Sequence, residues 1–248
     1  MDINQAKTYV EYNARMNQSG NIGPTGFNIM ARQAQMQEIN YLVGQIRDYQ
    51  PNRSIKPGQP IPPVGAEVTS VVSDMLRTIR GQVVAQNVTN GQVPLPADYL
   101  YLSNLESFFV RSQSTPGSND GYQTWVQVDD ITEGEFAYRT NSRVKYPDVA
   151  APIATNYGTY FYICPNPSTD PIYSQQIRLT YWQKPPDPIW NFTGTGQGMT
   201  YNPTGSQNFS LGEGAHERIC WRIIKLYGIS TRDADLITTA DNMLDLGV

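Results

Sequence analysis

The chain has 248 residues, with 18 Lys plus Arg against 22 Asp plus Glu, a formal net charge of −4. Charged residues make up only 16%, while aromatics reach 11% and Tyr alone accounts for 16 positions. This balance does not suggest a general nucleic-acid binder, which needs clustered cations to displace counterions. Two cysteines, Cys164 and Cys220, exclude a disulfide scaffold or a four-cysteine zinc site and read as buried thiols. No apolar run approaches the roughly 20 residues that cross a bilayer. The opening Met1-Asp2-Ile3-Asn4-Gln5 has neither region of a signal peptide, so the expectation is an unprocessed cytoplasmic product.

The first third reads as helical. Ile3, Ala6, Tyr9, Val10 and Met16 give a loose 3–4 spacing over 2–17, broken by the Gly/Pro segment 18–26. From Phe27 to Tyr49 the 3-4-3 stripe of Met36, Ile39, Val43 and Ile46 predicts a longer helix. Residues 50–63 hold five prolines (Pro51, Pro57, Pro60, Pro62, Pro63), an extended, semi-rigid linker. A Val-rich stripe predicts a third helix over Val64–Arg80, stopped at Gly81.

From Gln92 to Lys184 the period changes to β type. The runs Phe108–Ser112, Gln123–Val128, Tyr157–Cys164 and Gln176–Trp182 are separated by turn clusters at 114–121 and 165–171. The last two runs are expected to form a hairpin, with Ile177, Leu179 and Tyr181 on one face of its second strand. An antiparallel sandwich or barrel is the natural closure. Pro185-Pro186-Asp187-Pro188 ends the sheet. Residues 191–210 read as a long Gly/Asn/Thr/Ser loop with Phe192, Tyr201 and Phe209, a functional arm or flap whose deletion would spare the fold. A helix follows over Glu213–Tyr227 with Gly228 as its C-terminal stop. A second runs over Arg232–Leu246, after the capping-box spacing Ser230–Asp233.

The fold expectation is therefore α+β. Helices from both chain ends pack into a small bundle around an antiparallel β insertion. The division is 1–90 helical with the linker 50–63, 91–190 β-rich, 191–210 an extended loop, and 211–248 a helical pair packing on the N-terminal helices.

A search for catalytic chemistry yields little. His216 is the only histidine and stands four residues before Cys220, a two-ligand metal spacing without visible further ligands. Asp129, Asp130, Glu133 and Glu135 form an acidic cluster that would serve glycoside hydrolysis if two carboxylates converged, but it reads as a solvated turn. Gly194, Gly196 and Gly198 lack the strand–helix setting of a phosphate cradle. Neither enzyme activity, nor a cofactor, nor a metal is expected. The surface, rich in Tyr, Gln and Asn, suits contact with other proteins, because Tyr gives large contact area at low entropic cost.

Two segments carry a resemblance. Val93-Pro94-Leu95-Pro96-Ala97-Asp98-Tyr99-Leu100 is an L-P-x-D-Y entry into the sheet. Tyr160–Cys164 running into Pro165-Asn166-Pro167, followed by Ile177-Arg178-Leu179-Thr180-Tyr181 and Pro185, gives a strand ending in P-x-P and then an I-x-L-x-Y-x-x-x-P strand. Together with the C-terminal helices, these resemble head–tail connector and adaptor proteins of tailed bacteriophages, most of all ring proteins of crAss-like or short-tailed phages, over residues 92–248. The resemblance implies a structural virion protein made in the bacterial host cytoplasm. It would form a homo-oligomeric ring, commonly dodecameric, below the portal protein, contact neighbouring tail or ring proteins, and let DNA pass through its lumen without specific contact or membrane involvement. The interface candidates are the arm 1–26 with Tyr9 and Tyr12, the linker with Pro57 and Pro60, and the loop with Phe192, Tyr201 and Phe209. The alternative is a carbohydrate- or receptor-binding β module of a tail or surface protein, stacking sugars on Trp125, Trp182 or Trp190.

Overall fold

The computed structural model describes residues 1–16, 22–49, 64–85, 90–111, 123–144, 146–148, 151–165, 173–195 and 199–245. The linker 50–63 with Pro57 and Pro60, the turn cluster 114–121, most of 165–171, and Gly196 and Gly198 lie outside them. The chain divides into a helical unit, Met1–Ile79 with Pro185–Val248, and a β unit, Arg80–Lys184. The fold is α+β, with helices from both chain ends packed together and the antiparallel sheets inserted between them. The insertion begins at Arg80 and closes at Lys184, so both boundaries lie nearer the N-terminus than the expected 91 and 190.

In the helical unit, α1 (Ile3–Met16) starts with a reciprocal cap. Gln5 N donates to Asp2 Oδ1 at 2.7 Å and Asp2 N to Gln5 Oε1 at 3.0 Å. α2 (Pro24–Tyr49) begins three residues before the expected start, since Pro fits a first helical turn that needs no N–H. α3 (Val64–Leu76) ends early in a single 3-10 turn, Arg77–Ile79. α5 (His216–Thr231) packs against α1, α2 and α6 (Ala234–Asp245). Its buried stripe is Ile219, Cys220, Ile223, Ile224 and Tyr227. Gly228 lies inside α5 rather than after it. A Cβ there would meet Ile237 Cγ1 at 3.0 Å, so glycine admits the close approach of α6. The left-handed C-cap is Arg232, φ 59°, and the cap of α6 is Asp233, whose Oδ1 accepts from Leu236 N at 3.1 Å.

The β unit is a sandwich of two four-stranded sheets. The first has the order β1 (Arg80–Ala85), β8 (Tyr173–Gln183), β3 (Tyr99–Arg111), β4 (Gln123–Gln127) and is antiparallel throughout. The second has the order β2 (Gln92–Pro94), β7 (Tyr160–Cys164), β6 (Ile153–Asn156), β5 (Asp129–Asp130), with β5 parallel to β6. One core fills the space between them. Val93, Ala154, Phe161 and Ile163 come from the second sheet, and Leu105, Ile177, Leu179 and Tyr181 from the first. The expected hairpin of Tyr157–Cys164 with Gln176–Trp182 is therefore corrected. β7 pairs with β2 and β6, whereas β8 pairs with β1 and β3, so the two strands face each other across the core. β7 instead forms a hairpin with β6, closed around Gly158 at φ 87°.

The L-P-x-D-Y segment is the corner between sheets. β2 belongs to one and β3 to the other. The turn between them is closed by Tyr99 N donating to Pro96 O at 3.1 Å. Asp98 accepts from Tyr181 OH at 3.0 Å, and the Tyr99 ring packs on Phe161 and Tyr181. A further helix, α4 (Glu133–Thr140), occupies the acidic segment and lays Phe136 on Ile153 and Cys164.

The segment 185–211 is not a free arm. It is a strap across the helices, fixed by amide side chains. Trp190 N donates to Asn28 Oδ1 at 2.8 Å, and Asn28 Nδ2 returns a bond to Trp190 O at 3.3 Å. Trp190 Nε1 donates to Asn4 Oδ1 at 3.0 Å, and Ile3 N to Asn208 Oδ1 at 2.9 Å. Gln35 serves both ends, donating to Pro186 O and accepting from Ser210 N. Within the strap, β9 (Phe192–Thr193) pairs with β10 (Thr200–Tyr201), and Ile189 bridges to Gln207. Deleting 191–210 would thus cut into the helical unit itself, contrary to the expectation from composition.

Candidate functional site

Among the described residues, the histidine and Cys220 are held in packing. His216 opens α5, is 7% exposed, and its Nε2 lies 2.9 Å from the Leu211 carbonyl, which places the proton on that nitrogen. Nδ1 is buried without a partner. Cys220, one helical turn later, is fully buried, and its thiol is pushed up to about 12 by that burial and by the charge of Glu217. A metal needs the thiolate, which this setting suppresses. Among the described residues no three His, Cys, Asp or Glu side chains gather to hold a metal ion, and no helix is long and apolar enough to cross a membrane.

Asp129, Asp130, Glu133 and Glu135 are all exposed. Glu133 and Glu135 sit in the first turn of α4, where carboxylates oppose the helix dipole favourably. Thr132 caps it, accepting from Glu135 N at 3.4 Å, and Glu135 is paired with Arg139 at 2.5 Å.

The tryptophans proposed for sugar stacking are occupied. Trp182 is 4% and Trp190 6% exposed. Trp190 is covered by Lys7 at 4.5 Å, Phe192 at 5.8 Å and Tyr201 at 6.0 Å. Trp125 holds Arg178 over its ring at 4.2 Å, with Phe108 at 5.2 Å. A pyranose needs an open ring face, so Trp182 and Trp190 are corrected to structural roles.

The interface candidates separate in the same way. Phe209 is 6% exposed and packs on His216 at 5.6 Å, which makes it an internal residue. Phe192 and Tyr201 are half-buried on Trp190, inside the strap. Tyr9 ties α1 to α5, edge-on to Trp221 at 5.9 Å with its hydroxyl 3.4 Å from Glu217 Oε1. Tyr12 is 65% exposed on α1 and remains available to a partner.

Two features escaped the sequence reading. The first is a buried charge cluster. Glu38 of α2, fully buried, accepts from Arg218 Nε at 2.8 Å and from Arg222 Nε at 2.5 Å, while the Tyr41 ring lies against both guanidiniums. The i, i+4 spacing of Arg218 and Arg222 on a buried helix was the available signal. The second is a tyrosine face on the second sheet. Tyr160 and Tyr162 point away from the core, beside Tyr157 and Tyr146, which are 43% and 59% exposed. Desolvation, then the Glu133 carboxylate, raises the Tyr157 phenol above its ordinary range. Alternation in Tyr160–Cys164 was the legible sign of it.

No protein-family model matches the sequence, and no curated protein does.

Proposed function

We propose that the chain is a structural virion subunit. In this reading it forms a ring in the head-to-tail connector of a tailed phage, between portal and tail, and works by shape rather than catalysis. The observation that carries the reading is the construction of the chain. A helical unit made from both ends encloses in sequence a sandwich with its own core. A bridging subunit needs two separately stable bodies, one for each neighbour, and here each buries its own apolar surface. The resemblance of the L-P-x-D-Y corner and of the β7 and β8 strands to connector proteins gives the reading its specific form. The net charge of −4 suits a lumen through which DNA slides, since cationic phosphate contacts would hold it.

Sedimentation of the chain with the portal protein of the same genome tests this. Co-sedimentation in a fixed ratio is the expected result. A chain that stays monomeric beside the portal, and beside the portal joined to its first tail protein, overturns the reading. A glycan-binding screen serves as the counter-test, and saturable sugar binding would favour the β-module alternative.

A further inference from the structure

The outer face of the second sheet is aromatic and only partly covered. Along β7, Phe161 and Ile163 enter the core, so Tyr160, Tyr162 and Cys164 face outward. The register sets Pro94 beside Tyr160 and Gln92 beside Tyr162 on one flank, and Thr155 beside Tyr162 on the other. α4 covers one end of this face through Phe136, whose ring meets Tyr162 edge-on at 5.7 Å. Further along, Tyr160 is half-buried and its ring lies 5.5 Å from that of Tyr157, while Gln92 and Pro94 are exposed. The Tyr146 hydroxyl lies 3.9 Å from Cys164 Sγ and its ring remains largely open. The rim carries carboxylates, with exposed Glu133 adjoining Tyr157 and exposed Asp129 on the same face of the sheet as Ile153 and Cys164.

We propose that this tyrosine face binds the proline-rich segment 51–63 of a second copy of the chain. The segment reads Pro51-Asn52-Arg53-Ser54-Ile55-Lys56-Pro57-Gly58-Gln59-Pro60-Ile61-Pro62-Pro63. It contains P-x-x-P twice, Pro57 to Pro60 and Pro60 to Pro63. Sequences of this spacing dock on tyrosine-lined surfaces because proline rings stack on aromatic faces and the extended chain has little entropy left to lose. Charge selects the same occupant. The segment carries Arg53 and Lys56 and no carboxylate, against the exposed carboxylates of Glu133 and Asp129. The assignment to a second copy rests on the ring reading, in which copies of the chain lie side by side.

A dye-labelled peptide of residues 51–63 is titrated onto the full-length chain carrying Pro57→Ala, Pro60→Ala, Pro62→Ala and Pro63→Ala, so that its own segment does not compete. Saturable binding is expected. Tyr157→Ala or Glu133→Lys, both at exposed positions, should weaken it by about tenfold or more, and a peptide with alanine for proline should not bind. Absence of saturable binding, or binding indifferent to Tyr157, overturns the proposal. Copy number is read by mixing Lys56→Cys chains with Glu133→Cys chains under mild oxidation, the native Cys164 and Cys220 being buried. A disulfide-linked heterodimer is expected. If a chain carrying both substitutions gives only an intrachain bond, the second-copy assignment falls. Rings without peptide binding overturn this proposal alone. Peptide binding and heterodimers without rings sustain it and overturn the ring reading.

Discussion

The Glu38 carboxylate has no water to turn to and holds two guanidiniums, Arg218 and Arg222, whose side chains are 9% and 17% exposed. Removing the shared anion strands two buried cations, which costs far more than the pair contributes over an apolar substitute. Glu38→Ala is expected to lower the unfolding free energy by about 3–5 kcal/mol, read from urea denaturation. A loss below about 1 kcal/mol would show that the arginines find water instead. Cys220 makes a prediction of a different kind. Its thiol is raised from 9.0 to about 12, chiefly by burial, so the unfolded chain releases that proton first. The stability this group contributes is complete below 9.0 and is lost as pH rises towards about 12. Denaturation midpoints of the wild type should therefore fall more steeply across that window than those of Cys220→Ala. Equal slopes would mean that Cys220 is not buried in the folded state.

At the scale of elements, the strap 185–211 is tied down by amides more than by grease. Asn28 satisfies both the N–H and the carbonyl of Trp190, so Asn28→Ala leaves two part-buried backbone groups wanting. The expected cost is about 1–3 kcal/mol, accompanied by a change in Trp fluorescence as Trp190 loses its setting. A thermal midpoint and spectrum unchanged from wild type would contradict the strap. Much of this level was legible in advance. α2, α5 and α6 announced themselves by helical spacing, and the strand period of 176–182 set Ile177, Leu179 and Tyr181 on one face, which is the face that enters the core. The misses have physical causes. α4 is only eight residues, too short for a periodic stripe, though Thr132–Glu135 carried capping-box spacing. β7 and β8 looked like partners because adjacent strands usually pair, and nothing local distinguishes a hairpin from a crossing between sheets. The strap was mistaken for an arm because a polar, glycine-rich stretch resembles a loop whether its amides bond to water or to Asn4, Asn28 and Gln35. The Glu38 cluster joins residues 180 and 184 positions apart, a separation that no window of sequence reveals.

At the scale of the whole molecule, the proposed role is that of a bridging subunit. The reactive groups of the helical unit are spent on packing, as His216, Cys220 and Trp190 illustrate. Among the described residues the exposed large apolar side chains include Tyr12 on the first helix and Tyr138, Tyr146 and Tyr157 in the β unit, alongside the aliphatic Ile29, Val71, Val144 and Ile229. In the proposed ring such a surface would be used repeatedly, one face of each copy meeting a different face of the next. The most direct measurement is electron microscopy of the purified protein, alone and mixed with the portal protein of the same genome. The account predicts closed rings with rotational symmetry that stack coaxially on the portal. Isolated monomers under both conditions, with no density added to the portal, would contradict it.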